Sequence, residues 1–272
     1  MIKKNILVSI LINNYNNKNY IKKSINSCLN QTYKNIEIIV YDDKSNDGSS
    51  KIINQIKQKN VKKIFNQKKF YKSGALNQLQ AIYKSFSKSK GEIIFLLDGD
   101  DFYLKNKVNL FVDIFRNNKD LNFIQDNPIY FFSKKKLMIK KKLKNKKFTL
   151  HTWPYFNPTS TMAFRRSYFE KILKEINFSR KKFGKIFFDA RAFIYIYFFG
   201  KNYLRLDEYL TLYNQNDSGD TVKNYNSKNS QWWKRRFEYH QFVRLIFLKK
   251  NKFHLKLFDY YITAFINLFL RK

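Results

Sequence analysis

The sequence predicts an α/β fold: a mainly parallel sheet flanked by helices, continued at its carboxyl end by a helical extension. Three observations carry that prediction. Four short apolar runs in the first hundred residues alternate with amphipathic stretches. None of the four runs shows the polar alternate positions of a sheet with one wet face, so both faces are expected to be covered. The composition, 44% hydrophobic and 18% aromatic with only 7 Gly and 3 Pro in 272 residues, excludes a disordered chain.

In chain order, Ile6 to Ile12 reads as the first strand. The preceding MIKKN imitates the basic start of a signal peptide, but NNYNNKNY follows instead of a small-residue cleavage site, so a buried strand is expected. Ile21, Ile25, Cys28 and Leu29 recur at helical spacing. Ile36 to Tyr41 and Val61 to Phe65 are the next strands, and Leu76, Leu79, Ile82, Tyr83 and Phe86 mark a second clear helix before the strand Ile93 to Leu97. Lys134 to Lys147 is a charge run with too little apolar content for a core, read as a solvated hairpin or loop. A Pro-punctuated loop, a short strand and a helix follow over HTWPYFNPTSTMAFRRSYFEKIL, then a mostly buried helix over Asp189 to Phe199. Leu212 to Asn229, rich in Asn, Asp, Ser and Gly, reads as a mobile loop, and two helical segments close the chain over about 231–250 and 253–270.

With 54 Lys plus Arg against 20 Asp plus Glu the chain carries a formal charge of +34, which points to anionic partners: nucleic acid, phosphate-bearing ligands or a membrane surface. Lys, Asn, Ile, Phe and Tyr are all favoured by A/T-rich codons and all abundant here, so part of the excess reflects base composition. The lone Cys28 excludes an intrachain disulfide and any multi-cysteine metal site. It fits a reducing compartment, and a cytoplasmic location is expected. No uncharged apolar run reaches the ~18 residues that crossing a bilayer requires.

The scarce acids are unevenly placed. Of 14 Asp, three follow the second strand (Asp42, Asp43 and Asp47, in DDKSNDG) and three follow the fourth (Asp98, Asp100 and Asp101, in LLDGDD). Ligands in a parallel α/β sheet bind beyond the carboxyl ends of its strands, where both clusters fall. Adjacent carboxylates repel unless cations or donors compensate, and a tight Asp-Gly-Asp turn aims two of them at one hard cation of the Mg²⁺ or Mn²⁺ type. DDKSNDG by itself fits helix and turn capping as well as it fits ligand binding. No P-loop, GxGxxG or HExxH occurs, and His151, His240 and His254 are too widely spaced to suggest a metal site. The acid clusters would repel a nucleic-acid backbone. A non-enzymatic polyanion-binding protein is therefore only the alternative reading, carried by charge alone.

The order VSILINNYNNKNYIKKSINSCLNQTYKNIEIIVYDDKSNDGS, then GALNQLQ, then GEIIFLLDGDD resembles the family 2 glycosyltransferases, whose fold is the nucleotide-sugar-binding GT-A arrangement. The match is dense over about the first 115 residues and looser to about residue 216. The resemblance implies a GT-A domain over 1–216, with a donor-binding half to about 126 and an acceptor-binding half from about 127. A mobile loop and C-terminal helices over 217–272 would follow. It further implies that Tyr15 lies against the donor's base and that Asp43 accepts from it. Gly74 and Asn77 would face the diphosphate, while Asp98 and Asp100 hold the ribose and a divalent cation, Mn²⁺ or Mg²⁺, with Asp101 beside them. Asp189 takes the place of the general base, and the expected reaction is inverting transfer from a nucleotide-sugar donor to a glycan or lipid-linked acceptor in cell-envelope synthesis.

Three departures stand out. Phe188 precedes the expected base where the family often has Glu, and Lys105 replaces a Pro after the DxDD turn. Gln231-Trp232-Trp233-Lys234-Arg235 lacks the QxxRW signature of processive synthases, which favours single addition. For Asp189, spacing alone favours a helix cap or a partner for nearby Arg191, and only the resemblance lifts the catalytic role above that. Arg165 and Arg166 are candidates for phosphate contact or for a solvated basic pair, and Trp153 and Tyr155 for the acceptor cleft or for core packing.

In the last segment Lys256, Asp259, Thr263 and Asn267 form one narrow polar stripe on an otherwise apolar helix, with Lys249, Lys250 and Lys252 before it and Arg271 and Lys272 after it. That pattern fits an interfacial helix on an anionic bilayer, peripheral on the inner face of the cytoplasmic membrane, and equally a helix packed on the transferase core.

Overall fold

A computed structural model describes residues 5–132, 135–140, 157–215, 230–250, 252 and 257–270. Its centre is a nine-stranded sheet. Strands β1 (Val8–Asn14), β2 (Ile36–Asp42), β3 (Val61–Phe65) and β4 (Ile93–Asp98) run parallel in the order β3-β2-β1-β4, each within two residues of its expected position. Successive residues alternate between two cores. Ile10, Ile12, Ile38, Val40, Phe95 and Leu97 pack on one face, and Leu11, Ile39, Ile94 and Leu96 on the other. This is why the runs are apolar throughout.

Helices α1 (Ile21–Leu29), α2 (Ser49–Gln55) and α4 (Lys107–Asn117) cover the first face. The second is covered by α3 (Gly74–Lys88), α5 (Arg166–Ile176), α6 (Phe188–Ile194) and α7 (Ser230–Lys249). A π-helical turn, Tyr195–Phe199, continues α6, so the expected buried helix is present but changes winding midway.

Beyond β4 the sheet becomes mixed. The strand β8 (Met162–Arg165) joins antiparallel to β4, followed across the sheet by β6 (Phe123–Phe132), β9 (Tyr203–Asn214) and the short β5 (Phe102–Tyr103). Antiparallel β7 (Leu137–Lys140) hangs on the edge of β6, so the described part of the charge run is one arm of an exposed hairpin. Leu212 to Asn214, expected in a loop, instead end β9; residues 216–229 of that expected loop lie outside the described set.

Two helices close the chain, α7 and α8 (Leu257–Phe269). From α7, Tyr239, Phe242, Val243, Ile246 and Phe247 pack into the second core, with Phe242 stacked on Phe178 and Phe247 edge-on to Phe198. Among the described residues no helix is long and apolar enough to cross a membrane.

Candidate active site

Parallel pairing in register brings the ends of β1, β2 and β4 level, Asn14 beside Asp42 and Asn13 beside Asp98. A cleft of about 630 Å³ opens there. Tyr15, Asp43, Gly74, Asn77, Asp98, Asp100 and Asp189, the residues given a donor, cation or base role from sequence, line it, although they span 175 positions of chain.

The first acid cluster divides by role. Asp42 accepts from Asn14 Nδ2 and Ser45 Oγ at 2.6 Å each and from Ser50 Oγ at 2.6 Å. Asp47 accepts from the Lys18 and Ser49 amides and from Ser49 Oγ. Both hold the turn and the start of α2. Only Asp43 borders the cleft; burial raises its pKa, opposed by the Asn66 carboxamide 2.8 Å away and by Lys69. Tyr15 stands at the mouth, 44% exposed, with Lys69 Nζ 3.1 Å from its ring centre.

In the second cluster the Gly99 amide bonds to the Asn13 carbonyl at 2.8 Å, and a Cβ on Gly99 would lie 2.7 Å from Asn14 Oδ1. The turn needs glycine because β1 passes so close. Asp98 and Asp100 line the cleft, whereas Asp101 is turned away and fully buried, accepting from Ser160 Oγ at 2.5 Å and from the Asn214 amide at 2.8 Å. Ser160 Oγ also accepts from the Asp98 amide at 3.0 Å. Asp101 therefore shapes the turn rather than meeting a ligand.

Helix α3 begins at the cleft. Ser73 caps it, accepting from the Leu76 amide at 3.2 Å and donating to the Gly184 carbonyl. Its first turns, with Gly74, Asn77 and Gln78, form one wall. The amino end of a helix favours an anion. The Asn77 carboxamide is bonded both ways to the Tyr71 backbone, so it braces the loop before the helix.

Gln78 links two halves of the site. Its Nε2 donates to Asp98 Oδ1 at 3.2 Å, and its Oε1 accepts from the Phe188 amide at 3.1 Å, at the start of the helix that carries Asp189. The segment before α6 is fixed further by Glu238, which accepts from the Lys185 amide at 2.9 Å. Phe188 itself is buried against Phe164 and Phe169, an apolar anchor where the resembled family often has Glu.

Asp189 is part-buried on the cleft and accepts from the Ala190 amide at 2.7 Å. Burial lifts its pKa to about 6, reinforced by the negative charge of Asp98 and opposed by Arg235 and that amide. Arg191 does not pair with it. All five guanidinium donors of Arg191 go to Ile186, Ser179, Lys182 and Phe183.

Sequence reasoning missed Lys69, Lys72, Gln78, Tyr213, Asn214 and Arg235, all on the cleft. Arg235 lies in the very segment set aside for lacking QxxRW; its basic pair with Arg236 was the available signal. Asn214 is buried with neither carboxamide atom bonded among the described residues, although it borders the cleft. A buried orphan amide is costly unless a ligand satisfies it. Arg165 and Arg166 do not reach the cleft: they bond the carbonyls of Leu121, Phe115 and Asn118, and of Ser89 and Gly91, at the far end of the sheet. Trp153 and Tyr155 lie outside the described residues.

The family model described as glycosyl transferase family 2 matches residues 9–173, more than half of the chain. The chain belongs to glycosyl transferase family 2. A Nostoc protein described as an uncharacterized glycosyltransferase is 30% identical over 177 residues, 61% of this chain and 52% of that protein. The Escherichia coli UDP-Glc:alpha-D-GlcNAc-diphosphoundecaprenol beta-1,3-glucosyltransferase WfaP is 36% identical over 125 residues, 46% of this chain and 44% of that enzyme. This family 2 member thus spans about half the length of the curated relatives it matches. Among solved structures, Staphylococcus aureus TarS 1–349 with UDP aligns at a TM-score of 0.63 and 14% identity over 93% of this chain and 68% of TarS. The Pyrobaculum calidifontis mannosyltransferase PcManGT with GDP-Man and Mn²⁺ aligns at 0.59 and 12% identity over 95% and 69%. The fold is thus the GT-A arrangement expected from sequence.

Among the described residues no three His, Cys, Asp or Glu gather into a metal cluster. The donor set suits a hard cation nonetheless: Asp98 and Asp100 offer oxygen ligands on one wall of the cleft, with room for water and phosphate oxygens to complete the shell.

Proposed function

We propose that this family 2 glycosyltransferase is an inverting, single-addition enzyme that moves a sugar from a nucleoside-diphosphate donor to a hydroxyl of a glycan or lipid-linked acceptor in cell-envelope synthesis. The observation that carries the reading is the convergence on one cleft of Asp43, Asp98, Asp100 and Asp189 with the amino end of α3. The alternative of a polyanion-binding protein gains nothing from a cleft lined with four carboxylates. Solved neighbours holding UDP-GlcNAc and GDP-Man support a nucleotide-sugar donor, and relatives named for GlcNAc-diphosphoundecaprenol support a lipid-linked acceptor. Such an acceptor sits at a membrane, so we place the enzyme in the cytoplasm, peripheral on the inner membrane face.

In this reading the domain extends over 1–216, with the donor half to about 126 and the acceptor half beyond, and α7 adds Arg235 to the cleft. Tyr15 stacks on the base and Asp43 accepts from it. Gly74 lets the diphosphate approach the amino end of α3, Asn77 holds the loop beside it, and Lys69 and Lys72 add positive charge. Asp98 contacts the ribose and, with Asp100, would hold Mn²⁺ or Mg²⁺. When bound, that cation supplies Lewis-acid stabilisation of the diphosphate charge. Asp189 takes the proton of the acceptor hydroxyl as its oxygen bonds to the anomeric carbon. The bond from that carbon to the diphosphate oxygen breaks, the nucleoside diphosphate leaves, and the configuration inverts, as in the resembled family.

Thermal melts with UDP-, GDP- and dTDP-sugars, each with and without Mn²⁺, test the reading. One donor should raise Tm in a cation-dependent way, and transfer should stop in EDTA and return with added Mn²⁺. No shift with any donor, or full activity in EDTA, would count against it.

A further inference from the structure

Helix α8 is built with its polarity reversed. Its polar stripe faces the protein: Asp259, Thr263 and Asn267 are all buried. Asp259 accepts from Arg236 Nη2 at 2.5 Å and lies 3.0 Å from His240 Nε2, and Asn267 Nδ2 donates to the Trp233 carbonyl at 3.1 Å, all on α7. The opposite face carries Tyr261, Ile262, Phe265, Leu268 and Phe269, between 41% and 65% exposed. A helix on a water-facing surface does the opposite. Leu245 and Leu248 of α7 are exposed as well, at 42% and 60%.

Charge selects the occupant. Over the described residues of α7 and α8 the acids are Glu238 and Asp259, and both are engaged inward, with the Lys185 amide and with Arg236. Arg244 and Lys249, and Lys252 just beyond α7, are exposed. We propose that the outer face of α7 and α8 docks on an anionic lipid bilayer, α8 lying in the plane of the headgroups with Phe265, Leu268 and Phe269 in the acyl region. Over its 13 described residues the helix is about 20 Å long, short of the ~30 Å hydrocarbon thickness, a length that suits lying on the membrane. A second copy is the poorer occupant, because two identical faces would bring like charges together.

The proposal deepens the peripheral location given above by naming the surface that meets the membrane. Its test needs neither donor nor acceptor, so its failure would leave the transfer chemistry standing. The full chain is sedimented with vesicles of phosphatidylcholine alone and with about one third phosphatidylglycerol. It should pellet with the anionic vesicles and be released by salt. Phe265→Ser/Leu268→Ser should lower the bound fraction at least about tenfold with Tm unchanged, both side chains being exposed. Arg244→Glu/Lys249→Glu, also at exposed positions, should weaken binding to anionic vesicles. Equal pelleting of all variants, no pelleting of the parent chain, or a concentration-dependent dimer abolished by the Phe265/Leu268 pair would each overturn it.

Discussion

At the scale of single residues, Asp189 must be ionised to accept a proton, yet its surroundings favour the neutral form up to about pH 6. Transfer by the parent enzyme should therefore fall away below about pH 6, and Asp189→Asn should remove turnover while preserving the donor-induced Tm shift. Retained turnover by that variant would take Asp189 out of the mechanism. The same shift has a stability sign. The folded carboxyl binds its proton more tightly than the unfolded one, so rising pH from about 4 to 6 costs stability that the amide does not lose. Above pH 6 Asp189→Asn should be the more stable protein, by roughly 1–2 kcal/mol given partial solvent access, which melts at pH 5 and pH 8 would compare. Asn214 makes a second case. Asn214→Ala should weaken donor or acceptor binding, raising KM about tenfold, with no loss of Tm, because the carboxamide has no bond to lose among the described residues. A fall in Tm with unchanged KM would mark it as structural. The carboxylates of this site were legible in the sequence because they are rare in a basic chain and sit after apolar strands. Asn214 and Gln78 were not, since amides are abundant here and nothing local distinguishes these two.

At the scale of elements, the turn that aims Asp98 and Asp100 is held from behind by a buried polar network. Lys107 at the start of α4 donates to Asp126 Oδ1 at 2.9 Å, to the Ser160 carbonyl at 2.9 Å and to Thr211 Oγ1 at 2.6 Å, with no solvent access to either charge. Ser160 in turn bonds Asp101 and the Asp98 amide. The network ties β4 and α4 to β6 and β9, the strands of the other half of the sheet. Removing one partner of a buried pair leaves an uncompensated charge, so Lys107→Ala should cost about 3–5 kcal/mol in denaturant unfolding, and adding Asp126→Ala should recover part of it. A loss below about 1 kcal/mol would mean that water replaces the ammonium. Elements β1 to β4 were readable because burial on both faces makes each an unbroken apolar run. Strands β6 and β9 were not, since each mixes apolar residues with the polar ones of this network: Gln125, Asp126 and Asn127 in β6, Thr211 and Asn214 in β9. Their partners are as much as 113 positions away, outside any local pattern.

At the scale of the whole molecule, the charge of +34 is a load on the folded state. At least eight of the 20 acids that would offset it are withdrawn from the open surface. Asp42, Asp43, Asp101, Asp126 and Asp259 are buried, and Asp98, Asp100 and Asp189 are committed to the cleft. Exposed cations therefore face mostly one another across the surface, and folding gathers them closer than the unfolded chain does. Monovalent salt, with a Debye length of about 30 Å at 0.01 M and about 3 Å at 1 M, screens that repulsion while leaving pairs such as Lys107 with Asp126 nearly untouched. Tm should accordingly rise with NaCl from about 0.02 to 0.5 M, opposite to the response of a fold held by surface ion pairs. Sulfate at equal ionic strength would confound screening with its own strengthening of apolar burial, so chloride is the informative salt. A Tm that falls with NaCl would mean that exposed pairs such as Lys174 with Glu170 outweigh the net charge.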